Sequence, residues 1–115
     1  IVGEILLNSK NDSLLELTVG IDYQHNPIEV VELLKKVIGE LDIVSDIREP
    51  MIGIDAFADS SINIAIRLWT PTVSLYAAKY KAYEAIYVAL EQAKVKIPFP
   101  QRDIHIVSNM NQGDI

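Results

Sequence analysis

Ile97-Pro98-Phe99-Pro100-Gln101-Arg102-Asp103-Ile104-His105-Ile106-Val107 is the segment on which the architecture turns. Two prolines flanking Phe99 fix an extended, stiff spacer that can neither be helical nor donate to a strand ladder. Asp103 to Val107 then alternates apolar and polar residues as a strand does. A lone strand held away from its own sheet cannot satisfy its backbone groups, so copies from several chains must pair. Around one symmetry axis such strands run parallel and close into a small barrel without edges.

Upstream of the spacer, Val73 to about Lys94 reads as one long helix carrying two stripes. Ala78, Ala82, Ala85, Ala89 and Ala93 recur at helical spacing and permit close approach to a sheet or a neighbour. Tyr76, Tyr80, Tyr83 and Tyr87 form the adjoining stripe, expected to pack with hydroxyls at its edge. Thr70-Pro71-Thr72 separates this helix from an alternating strand, Ile62, Ile64, Ile66 and Leu68. Asp59-Ser60 provides the turn that joins it to Met51–Ala58 as a hairpin, with Asn63, Arg67 and Trp69 on the opposite, partly solvated or interfacial face.

Further back, Asn26-Pro27-Ile28-Glu29 is a helix start. Asn26 caps, Pro27 takes the first helical position, and Glu29 stands where it can reach back to the cap amide. Val31, Leu34, Ile38 and Leu41, joined by Val30, Leu33 and Val37, give that helix a wide apolar face. Asp42 to Pro50 reads as a connection. Leu15, Leu17, Val19 and Ile21 alternate with Glu16, Thr18 and Gly20 as the first strand of the main domain. The succession β-α-β-β-α predicts an α+β fold, a ferredoxin-like open sandwich with a projecting C-terminal strand.

Composition bounds the function. The 115 residues, half of them hydrophobic, suffice for one core. No cysteine is present, which removes disulfides, thiolate metal sites and thiol nucleophiles. Sixteen acidic against ten basic residues give a net charge of −6, which disfavours nucleic acid and anionic lipid. No apolar run approaches the ~18 residues that cross a bilayer. The chain opens abruptly on strand-like residues from Ile1, and is read as an excerpt of a longer protein.

No catalytic, cofactor or metal site is expected. His25 and His105 lie on different segments without a ligand spacing between them. Asp22, Asp55 and Asp59 sit near strand ends and turns, where aspartate is ordinary. Asn63 and Arg67 share a strand face, as in an acylphosphatase-type enzyme, yet Asp22-Tyr23-Gln24-His25-Asn26 after the first strand is no anion-binding loop.

Three motifs, in this order, resemble the cytoplasmic region of the small-conductance mechanosensitive channel family. They are Leu17-Thr18-Val19-Gly20-Ile21-Asp22-Tyr23, then Asp59-Ser60-Ser61-Ile62-Asn63-Ile64 with Arg67-Leu68-Trp69, then Ile97-Pro98-Phe99-Pro100-Gln101-Arg102-Asp103-Ile104-His105. The resemblance implies a homoheptamer on the cytoplasmic side of a cell membrane. Its subunits would enclose a hollow vestibule with side portals, closed by a seven-stranded parallel barrel and passed by ions and small osmolytes. On that reading residues 1–13 end a preceding β-domain, 14–97 form the α/β domain, 98–108 are spacer and barrel strand, and 109–115 are a disordered tail. Intersubunit assembly falls to Pro98, Phe99, Pro100, Gln101, Asp103, Ile104 and Ile106. Two departures stand out: the family often has glycine before the paired serines and after the second helix, where this chain has Ala58-Asp59 and Ala93-Lys94. Both predict a different local geometry. The competing classes are a stand-alone ferredoxin-like regulatory module that binds small metabolites and an acylphosphatase-like hydrolase.

Overall fold

The structure, a computed structural model, describes residues 1–44 and 48–98. Of the expected assembly residues, Pro98 is described. Phe99, Pro100, Gln101, Asp103, Ile104, Ile106 and the tail 109–115 lie outside the described residues.

Four antiparallel strands form one sheet in the order β1-β2-β4-β3, with β1 Val2–Asn8, β2 Asp12–Ile21, β3 Met51–Phe57 and β4 Ile62–Pro71. Helix α1 spans Pro27–Gly39, and a 3₁₀ turn at Thr72–Ser74 leads into α2, Leu75–Gln92. The expected β-α-β-β-α succession is present as β2-α1-β3-β4-α2. Strand β1 precedes it and lies in the same sheet.

Alternation in the two central strands sets which face is buried. Leu15, Leu17, Val19 and Ile21 of β2 stand opposite Leu68, Ile66, Ile64 and Ile62 of β4, and all eight are buried. One face of the sheet is therefore a continuous apolar surface. Val30, Val31, Leu34 and Ile38 of α1 and Ala82, Ile86 and Leu90 of α2 complete the core above it. The other face carries Leu14, Glu16, Thr18 and Gly20 paired with Trp69, Arg67, Ala65 and Asn63. It has no covering layer among the described residues.

Helix α1 starts as its sequence dictates. The Asn26 side chain accepts the Ile28 N–H at 2.9 Å, and Pro27 occupies the first turn, where no donor is needed. At the opposite end of the domain, Thr70 is fully buried and donates its hydroxyl to the Ile43 carbonyl at 3.0 Å. That bond ties the connection after α1 to the end of β4.

The tyrosine stripe of α2 departs from expectation. Tyr76, Tyr80 and Tyr87 are 61%, 64% and 56% exposed rather than packed, and only Tyr83 is half-buried. Helix α2 buries Leu75, Ala78, Ala82, Ile86, Ala89 and Leu90, of which Ala82, Ile86 and Leu90 join the core cluster with the sheet. Its small residues bring the backbone in closely, so the neighbouring tyrosines leave at a tangent into solvent. Ala85 is half-buried and Ala93 exposed, so the alanine stripe turns outward towards the helix end.

The exit of α2 differs from expectation too. Lys94 takes the left-handed conformation, φ 59°, that glycine favours one residue past a helix. Its N–H donates to the Glu91 carbonyl at 3.0 Å and the Val95 N–H to the Leu90 carbonyl at 2.9 Å, the two bonds of a Schellman ending. With lysine rather than glycine at this position the ending still forms, at the cost of side-chain crowding in the left-handed region. Lys94→Gly should therefore stabilise the domain by about 0.5–1 kcal/mol, the crowding relieved less the extra freedom of the unfolded glycine. Urea denaturation checks this through a raised midpoint at unchanged slope.

Candidate assembly site

The last described residues before the terminal segment run between the β2–α1 turn and the end of α2. Beyond the Schellman ending, Val95 packs against the core, and the chain then runs beside Asp22. Both backbone groups of Lys96 are held there. Its carbonyl accepts the Asp22 N–H at 2.9 Å, and its N–H donates to His25 Nε2 at 2.8 Å. The turn is itself braced, since Asp22 Oδ1 accepts the Gln24 N–H at 2.9 Å and the Asp22 carbonyl accepts the His25 N–H at 3.1 Å. Pro98, half-buried, follows two residues after this clasp.

Strand β1 fills the flank of β2. It pairs with β2 from Val2 opposite Thr18 to Asn8 opposite Ser13, with a bulge between Ile5 and Leu7. Gly3 makes room for α2 above it: a Cβ there would lie 2.5 Å from the Tyr83 hydroxyl and 2.9 Å from Leu17 Cδ2. The β1–β2 turn is fastened to the start of α2 as well. The buried Ser13 hydroxyl lies 3.0 Å from Asn8 Oδ1 and 2.9 Å from Thr72 Oγ1, and the Thr72 N–H donates to the Asn11 carbonyl at 3.0 Å.

The residues weighed for chemistry are placed as follows. Asp22 shapes a turn, Asp55 lies exposed at the bulge of β3, and Asp59 is exposed in the hairpin loop. Among the described residues no group of three or more His, Cys, Asp and Glu side chains is placed to hold a metal ion. Asn63 and Arg67 do share the uncovered sheet face. However, Asn63 Oδ1 accepts from Ser61 Oγ at 2.8 Å, and Arg67 Nε donates to Glu16 Oε2 at 2.8 Å. A guanidinium already neutralised by a carboxylate is a poor phosphate hook. The Arg67 side chain is half exposed, which limits the value of the pair. Arg67→Ala should cost no more than about 1 kcal/mol in thermal or urea unfolding. The His25–Lys96 clasp had no signal in the sequence, because its partners stand 71 residues apart.

An antiparallel sheet covered on one face by two helices, with a β-α-β-β-α core, defines an α+β domain but no function by itself. The family profile described as the C-terminal region of the mechanosensitive ion channel MscS matches residues 15–97. The chain belongs to the MscS family. An uncharacterized MscS family protein of Archaeoglobus fulgidus is 33% identical over 95 residues, which cover 83% of this chain and 34% of that protein. A small-conductance mechanosensitive channel of Edwardsiella ictaluri is 27% identical over 112 residues, covering 92% of this chain and 37% of the channel. The closed-state crystal structure of Helicobacter pylori MscS superposes with a TM-score of 0.74 at 27% identity, covering 86% of this chain and 40% of that one. The chain thus spans about a third of the length of these relatives. Among its described residues no helix is long and apolar enough to cross a membrane.

Proposed function

We propose that this chain is the cytoplasmic vestibule and assembly domain of a mechanosensitive channel that releases ions and small osmolytes under membrane tension. It works as one of seven copies. Pro98, Phe99, Pro100 and Gln101 carry the terminal strand away from the domain, and Asp103, Ile104 and Ile106 pair it with sister strands in a parallel barrel.

The observation that supports this reading is the occupied flank of β2. A self-contained β-α-β-β-α-β domain returns its last strand to the side of its first. Here that side is filled by β1 along most of β2. The chain leaving α2 is held at the opposite end, beside Asp22, and then enters the Pro-Phe-Pro spacer. A strand with no vacancy beside its natural partner must find other mates or leave its backbone groups to water. The regulatory-module and hydrolase alternatives both need that returning strand.

A chimera tests the function. This chain replaces the matching region of a small-conductance channel in cells that lack their own osmotic release channels. Survival of a sudden drop in external osmolarity at the level of the parent channel is expected. Lysis at the level of cells without any channel, with the chimera present in the membrane, would contradict the reading.

A further inference from the structure

We propose that His25 makes the hold on the chain's exit from the domain dependent on pH, releasing Lys96 as the imidazole gains its second proton. The inference concerns this domain's own turn and stands independently of the channel reading.

The contact that carries it is the Lys96 N–H donated to His25 Nε2 at 2.8 Å. A ring nitrogen accepts only while it is unprotonated, so this bond requires the neutral imidazole with its proton on Nδ1. Protonation places an N–H on Nε2, and two donors then face each other. The bond is therefore present while the ring is neutral and lost once both ring nitrogens carry protons. The Asp22 N–H to Lys96 carbonyl bond, 2.9 Å, contains no titrating atom and survives. The exit thus passes from two anchors to one.

The charged groups around the ring come from each packed element. Asp22 lies on the β2–α1 turn, with its carboxylate accepting the Gln24 N–H. Glu29, in the first turn of α1, lines the same groove as His25, together with Val30, Leu33 and Val95. Lys94 and Lys96 lie on the exit segment, and the Gln24 side-chain amide stands 3.5 Å from Nε2. Two acids, Asp22 and Glu29, therefore stand near a ring whose lone pair is already committed to the backbone. Position gives the device its effect: Lys96 is two residues before Pro98, whose nitrogen has no hydrogen to donate. Once the Lys96 N–H is free, the start of the spacer keeps only the Asp22 bond to aim it.

Amide exchange of the intact chain, followed by NMR alongside the His25 ring resonances from about pH 8 to about pH 5, tests the proposal. The Lys96 protection factor, corrected for intrinsic exchange at each pH, should fall about tenfold. Its midpoint should coincide with that of the His25 ring. In His25→Gln, whose carbonyl accepts but does not titrate, Lys96 protection should stay level over the same range. Constant Lys96 protection while the ring titrates would overturn the proposal, as would an equal fall in His25→Gln. A simultaneous loss of protection at Leu34 and Ile86 would overturn it too, since acid would then be loosening the whole core.

Discussion

Ile64→Ala is expected to cost about 2–5 kcal/mol, a large part of the ~5–15 kcal/mol that holds a domain of this size together. Ile64 is fully buried in β4, opposite Val19 of β2 and Ile54 of β3. It therefore sits in the middle of the sheet, beneath the helices. Truncation removes three carbons from a site whose neighbours belong to three strands and cannot all collapse inward. A matched control is Ile28→Ala on α1. That side chain is 66% exposed, and its loss should change stability by less than about 0.5 kcal/mol. Equilibrium unfolding in urea measures both. Equal effects at the two positions would mean that the sheet face assigned to the core is wrong.

The second large effect is expected in assembly. On the proposed assembly, Ile104→Asp, or deletion from Pro98 onward, should reduce the seven-copy ring to smaller species while leaving the fold of 15–97 intact. Burying an isoleucine contributes about 1.5–3 kcal/mol, and each chain brings Ile104 and Ile106. Each 1.4 kcal/mol is tenfold in an equilibrium constant, so losing one such side chain per subunit weakens every join in the ring by tenfold or more. A carboxylate in its place adds a desolvation cost. Sedimentation velocity, with far-ultraviolet circular dichroism as the check on folding, distinguishes loss of assembly from loss of structure. Unchanged sedimentation in both variants would remove the terminal strand from the account of assembly.

Much of the fold was legible because its signals are local. The alternation of Leu15 to Ile21 and of Ile62 to Leu68, the Asn26-Pro27 start and the Asp59-Ser60 turn each specify geometry within a few residues. Strand β4 lies between β2 and β3, so its even-numbered residues face the core as their period demands. What could not be read depends on packing between distant segments. The tyrosines of α2 occupy a regular stripe, but burial depends on which stripe meets the sheet, and the smaller alanines fit closer. The left-handed Lys94 was hidden because the residue type argues against it. The geometry is imposed from outside by the Val95 contact and by the backbone bonds of Lys96.

The site divides in the same way. The Pro-Phe-Pro spacer and the alternation after it are visible as residues, whereas the clasp just before them joins His25 to the Lys96 backbone amide 71 residues away. Likewise the pairing of β1 with β2 turns on a close approach at Gly3 beneath Tyr83, which no local pattern announces. Spacing places Arg67 and Asn63 on one strand face, which without an anion-binding loop reads as surface or interface contacts. Their partners, Glu16 and Ser61, are supplied by the sheet and the hairpin loop.

The central claim is that sister chains, rather than the parent sheet, receive the terminal strand. Multi-angle light scattering of the intact chain across a concentration series tests it most directly. The mass should rise to seven times the 12.9 kDa of one chain. A mass that stays at 12.9 kDa at every concentration would contradict it.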